Sequence, residues 1–148
     1  MISDTTSTLP ADRAYDAGQH LWVVYDAAAN CATVGVDVLG QATMGDLAYL
    51  KLAPVGTAVR RGASAGSLEA AKMTGDVVSP LTGTVVAINE AALRDPSLVN
   101  HDPYGAGWLL MIAPADWAGE SGALVAGAAV AGWASSEIAR YREEGWLA

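Results

Sequence analysis

Residues Ser67–Gly83 read SLEAAKMTGDVVSPLTG. Two short β-like segments, Ser67–Ala71 and Met73–Ser79, meet at Lys72. That pattern predicts a β-hairpin with the lysine at its junction. A hairpin tip projects its side chain away from the body, so the amine is open to another protein. The two flanking segments are alike, with VGTAVRRG over Val55–Gly62 and LTGTVVAI over Leu81–Ile88. Each joins Gly-Thr to a nearby valine. This suggests a pseudo-symmetric β-sandwich or flattened barrel of short strands.

Upstream of the hairpin, His20–Tyr25 (HLWVVY) predicts a strand, Asp26–Asn30 a turn and Cys31–Val36 (CATVGV) the returning strand. Asp37 suits the N-cap of a helical turn over Asp37–Gly45. Leu47–Leu52 predicts a further strand, broken by Pro54 and Gly56. Downstream, Asn89–Asn100 predicts a helical turn or two stopped near Pro96, and Asp102–Gly107 is turn chemistry. Trp108–Ile112 reads as a short buried strand closed by Pro114–Trp117. Leu124–Trp146 is Ala-rich and mostly helical, clearest from Ser135, with Gly145 as its stop. The expected architecture is mainly β with short helical turns. One domain covers 1–148, residues 1–12 are expected to fray, and 120–148 form a C-terminal helical segment.

The bulk numbers narrow the function. The chain has 148 residues, 52% of them apolar, enough for a core. Its 16 acids against 8 Lys and Arg give a net charge of −8. The only basic doublet is Arg60–Arg61, which argues against a nucleic-acid backbone as partner. The surplus of acid favours basic protein surfaces instead. Cys31 is the single cysteine, so no internal disulfide or CxxC pair is possible. The longest apolar run, Gly122–Ala134, has 13 residues and is too short to cross a bilayer. The acidic N-terminus lacks a signal-peptide pattern. A cytoplasmic chain without metal or membrane is expected.

No Walker, GxSxG or HExxH pattern is present. His20, among apolar and aromatic neighbours, reads as a packed or capping residue. His101, in a Pro/Gly turn, reads as surface loop, and Cys31 as a small buried hydrophobe. Glu69 and Asp76 flank Lys72 and read as charges on either side of a turn. There are two lysines in all. Lys51 alternates with Leu50 and Leu52, as an outward strand residue would. Lys72 has no such explanation. On residue type alone, a solvated turn lysine stands beside a lysine that another enzyme acylates.

In order, the motifs resemble those of the glycine cleavage H-protein family. His20-Leu21-Trp22-Val23 is similar to that family's H-E-W-V, and Ala32–Val36 to the strand that follows. Gly45-Asp46 matches its G-D. Glu69-Ala70-Ala71-Lys72 matches its E-S-x-K, where the lysine carries lipoate. Asp76 and Ser79–Gly83 match D-x-x-S-P-x-x-G. Asn89-Glu90, Asp95–Asn100 and Asp102–Leu109 match the closing signature. The resemblance runs from about His20 to Ile112.

It implies a lipoyl-domain-like barrel-sandwich hybrid with lipoate on Lys72. The arm would shuttle an aminomethyl cargo between partners and the chain itself would not be an enzyme. Those partners would be a pyridoxal-phosphate glycine decarboxylase, an aminomethyltransferase and a dihydrolipoyl dehydrogenase. A lipoate-protein ligase or lipoyl transferase would recognise Glu69, Ala71, Met73, Asp76 and Gly83 around the attachment site, with Gly75 and Gly83 shaping the backbone. His20, Leu21 and Asp46 would offer an arm-docking surface. Three features depart from the family: Leu21 stands for the acid of H-E-W that is associated with the cargo amine, Val78 for the tyrosine before S-P, and DVLGQATMGD for T-D-Y-A-Q-x-x-L-G-D. Leu21, Ala115-Asp116-Trp117 and the tail Tyr141–Gly145 suggest an alternative. They look more like the lipoate-binding proteins of bacterial sulfur oxidation, which serve heterodisulfide-reductase-like complexes.

Overall fold

The computed structural model describes residues 8–147. In chain order its strands are β1 (Ala14–Asp16), β2 (Leu21–Asp26), β3 (Cys31–Val36), β4 (Leu47–Leu52), β5 (Ala58–Val59), β6 (Ser64–Ala70), β7 (Thr74–Val78), β8 (Gly83–Ile88) and β9 (Leu110–Pro114). Its helices are α1 (Val38–Met44), α2 (Glu90–Arg94), α3 (Ser97–His101), α4 (Trp117–Glu120) and α5 (Ala129–Glu143). One antiparallel sheet has the order β1-β2-β3-β9-β8-β5, and a second has β4-β6-β7. This is the mainly β sandwich that the hairpin predicts.

The two look-alike segments are hydrogen-bonded to each other. Ala58 pairs with Thr84 and Val59 with Gly83, and the Val85 amide donates to the Thr57 carbonyl at 2.9 Å. Gly83 lies so close to the Ala113 carbonyl that a Cβ could not fit there. Strand alternation separates inward Leu50, Leu52, Leu68, Val77 and Val85 from outward neighbours. The inward set fills a core between the sheets, joined by Val23, Val34, Leu110 and Ile112. Lys51 is exposed on β4, as its alternation predicts.

A second core lies under the C-terminal helix. Val130, Ala134 and Tyr141 of α5 pack with Trp22, Val38, Leu39, Ala42, Leu9 and Leu147. That face starts the helix at Ala129, inside the Ala-rich stretch expected to be mostly helical and six residues before its clearest part. Asp37 caps α1 as predicted, accepting from the Leu39 and Gly40 amides at 2.9 Å each.

Several boundaries move. β2 starts at Leu21 because His20 takes a positive φ of 53°. The stop expected near Pro96 is there, since α2 ends at Arg94 with Asp95 as its C-cap, but Pro96 also leads into a second short helix, α3, in keeping with proline's place at a first turn. The last strand is shifted to Leu110–Pro114, because Asn89 engages the Trp108 carbonyl with its side chain and the Leu109 carbonyl with its amide. The stretch expected to fray lies partly outside the described residues. Within them, Leu9 is buried in the second core and the Tyr15 hydroxyl donates to the Pro10 carbonyl at 2.6 Å. Among the described residues no helix is long and apolar enough to cross a membrane.

Candidate functional site

Lys72 occupies the β6–β7 turn, exposed to solvent. The Ala70 amide closes the turn on the Met73 carbonyl at 2.8 Å. The tip is fastened at its base. The Ala71 amide donates to the Asp46 carbonyl at 2.9 Å and the Lys72 amide to the Met44 carbonyl at 3.0 Å. Both acceptors belong to the junction between α1 and β4. Gly45 makes that junction possible, with φ of 74° and the Lys72 side chain directly against it. Asn100 of α3 locks it, accepting from the Leu47 amide at 2.8 Å and donating to the Gly45 carbonyl at 2.9 Å and Gln41 Oε1 at 2.7 Å. The amine is therefore carried on a braced platform.

The residues singled out around Lys72 fall into two groups. Ala71, Met73, Glu69 and Asp76 surround the tip and are exposed. Glu69 faces Thr74 and Asp76 faces Ser67, so both carboxylates share the outward face of the hairpin. Ser64 Oγ donates to Asp76 Oδ1 at 3.2 Å. Asp46 is exposed beside the tip and serves it through its backbone carbonyl. Gly83 lies on β8, in the other sheet, where it permits close strand approach.

Beside the tip, a cleft of about 100 Å³ is lined by Leu21, Met44, Leu68, Met73, Asp76 and Val78, among others. Leu21, though buried, is part of that cleft's wall. His20 is not, and this corrects the docking surface expected of it. Its ring is buried, with Nδ1 2.8 Å from Asp37 Oδ2 and Nε2 3.0 Å from Glu137 Oε1. Burial pulls its pKa down, but the two carboxylates outweigh this and hold the imidazolium above its ordinary range. His20 ties α5 to the N-cap of α1. The packed or capping role fits it.

Asn100, Gln41 and Trp146 carry no local signal in the sequence. Asn100 lies inside a matched motif, but nothing around it shows that it braces residues 41–47. Trp146 comes within 5.9 Å of Lys72 Nζ across 74 positions, and no sequence pattern signals such a contact. Trp117, one of the residues behind the sulfur-oxidation alternative, stacks on Tyr25 with centroids 4.1 Å apart. Asp116 caps α4 through the Gly119 amide at 3.0 Å. Packing and capping account for both.

A family model described as glycine cleavage H-protein matches residues 13–135. The glycine cleavage system H protein of Marinobacter nauticus is 41% identical over 110 residues, covering 74% of this chain and 83% of that one. Its counterpart in Beutenbergia cavernae is 38% identical over 105 residues, covering 71% and 82%. A crystal structure of a glycine cleavage system H protein from Mycobacterium marinum superposes with a TM-score of 0.66 at 34% identity. It covers 77% of this chain and 99% of that one. These relatives do not favour the sulfur-oxidation alternative. By the extent of the family match and by these identities, the chain belongs to the glycine cleavage H-protein family.

Proposed function

We propose that the chain is the non-catalytic, cytoplasmic lipoyl carrier of a glycine cleavage system, with lipoate amide-linked to Lys72. The observation that carries this is the exposed residue Lys72 on the braced β6–β7 turn, in a family whose named members belong to that system. The residues present fit the group. An amine on an exposed turn suits the amide bond, and the cleft walled by Leu21, Met44, Leu68 and Met73 suits a hydrocarbon chain. Lipoate would supply a disulfide that a partner enzyme can open to accept a cargo.

The chain's own residues supply the rest. The hydrogen bonds from Ala71 and Lys72 to residues 44 and 46 fix where the arm is rooted, so its free end samples a limited volume. Tethering of this kind raises the local concentration of the reactive group at each partner in turn. Glu69 and Asp76 mark the hairpin face for a ligase or lipoyl transferase and for basic partner surfaces. The partners on this reading are the pyridoxal-phosphate glycine decarboxylase, the aminomethyltransferase and the dihydrolipoyl dehydrogenase.

The test is the intact mass of protein made in a lipoylating host. The wild type is expected to gain one lipoyl group and Lys72→Arg none. An unmodified wild type, or an adduct that survives loss of Lys72, overturns the reading. With the decarboxylase added, the modified protein is expected to acquire isotope from labelled glycine. Absence of transfer would overturn the glycine-cleavage assignment.

A further inference from the structure

The C-terminal segment returns to the modification site. α5 ends at Glu143, and Gly145 then takes φ of 85°, which allows the chain to reverse. The Trp146 amide donates to the Tyr141 carbonyl at 2.9 Å, and Leu147 is buried in the second core, to which Ala42 also belongs. Held between these two anchors, Trp146 is 42% exposed, with its ring 5.9 Å from Lys72 Nζ. That lies at the outer reach of a cation–π contact. Nζ also donates to the Ala42 carbonyl at 3.0 Å. Ala42 is in the last turn of α1, where carbonyls lack helical partners and the helix dipole is negative. The ammonium is thus gripped by a helix end and an indole. The tail that brings the indole lies beyond residue 135, where the family match stops.

We propose that Trp146 restrains Lys72 before its modification: it holds the unmodified ammonium against the end of α1 and releases it once the amide has formed. The proposal rests on the reading of Lys72 as the acylated lysine. To react, Nζ must leave the Ala42 carbonyl and lose a proton. It then attacks the carbonyl carbon of an activated acyl donor, an acyl adenylate or thioester. The N–C bond forms and the bond to the leaving group breaks, its electron pair departing with that group. Two protons in all pass from nitrogen to solvent. The product amide keeps one N–H and no charge. It can still donate to Ala42, but it gives the indole no cation to hold. The tail therefore senses whether Lys72 is modified.

The test uses full-length protein from a host that cannot lipoylate it, with purified ligase and initial rates read by mass at subsaturating acceptor. Trp146→Leu is expected to accelerate modification about two- to five-fold, the span of an exposed cation–π contact. Trp146→Tyr, which keeps a π face, is expected to stay near the wild-type rate. Hydrogen exchange gives a second readout. The Trp146 amide is expected to exchange faster after lipoylation, and equally so in Lys72→Gln. A Trp146→Leu rate equal to or below wild type overturns the proposal, as does exchange that ignores the state of Lys72. No adduct on any variant overturns the Lys72 reading itself, and this proposal with it.

Discussion

His20 shows what one buried ring contributes. It lies between Asp37 and Glu137, stacked 5.7 Å from Trp133 and edge-on to Tyr141 at 5.3 Å. Burial raises the pKa of Asp37 against the pull of His20 and two backbone amides. Glu137 is held low, first by Arg140 and also by His20. A histidine whose folded pKa is raised stabilises the fold fully below its unfolded value. It loses that contribution as pH rises through the folded value. The wild-type urea midpoint is therefore expected to fall as pH climbs from about 6.5. In His20→Asn that part of the slope should vanish. Below pH 6.5 the variant should be less stable by about 3 kcal/mol, because Asp37 is left buried without its cation. A variant as pH-sensitive as the wild type would show that the slope arises elsewhere. The packed character of His20 is legible in the sequence, since its neighbours are apolar. Its partners are not, because Glu137 is 117 positions away.

At the level of elements, the hairpin is legible in the sequence and its support is not. β6 and β7 are two short β-like segments close in the sequence, and Lys72 lies where the chain turns between them. Such information is local. The support comes from the carbonyls of Met44 and Asp46 and from one amide side chain on α3. Backbone carbonyls have no sequence signature, and Asn100 is 53 positions from the Leu47 amide it receives. Likewise β5 has two residues, too few for a period, and it becomes visible through its pairing with β8. Asn100→Ala removes three hydrogen bonds and leaves the Leu47 amide and Gly45 carbonyl short of a partner. A loss of about 2 kcal/mol in chemical denaturation is expected. The Ala71 and Lys72 amides should also exchange faster, since their acceptors sit on the loosened junction. Destabilisation without that local change would mean that Asn100 braces the fold but not the tip.

The whole molecule is an acidic body in which Arg13, Arg140 and Lys72 are held by their neighbours. Arg13 lies over the rings of Trp22 and Tyr104, and Arg140 pairs with Glu137 and Glu144. Lys72 is held by the Ala42 carbonyl and faces the Trp146 ring. An amide on Lys72 takes the net charge from −8 to −9, since one positive charge is removed. The surroundings of the arm then hold Asp46, Glu69 and Asp76, all exposed. A field of this sign attracts basic surfaces and acts mainly on encounter, so salt should weaken it. Between 0.01 M and 0.15 M ionic strength the screening length shrinks from about 30 Å to about 8 Å. The KM of a partner enzyme for the modified carrier is accordingly expected to rise over that range, with kcat nearly constant. Replacing Asp46, Glu69 and Asp76 together by Asn, Gln and Asn should raise KM at low salt and flatten its salt dependence. The three side chains are exposed, so the fold should tolerate the change, and an unchanged urea midpoint checks this. A KM that ignores salt in the wild type, or a triple variant as salt-sensitive as the wild type, would move the docking charge away from the hairpin face. The approach of partners would then have to be explained by apolar contacts such as the exposed Met73 and Tyr49.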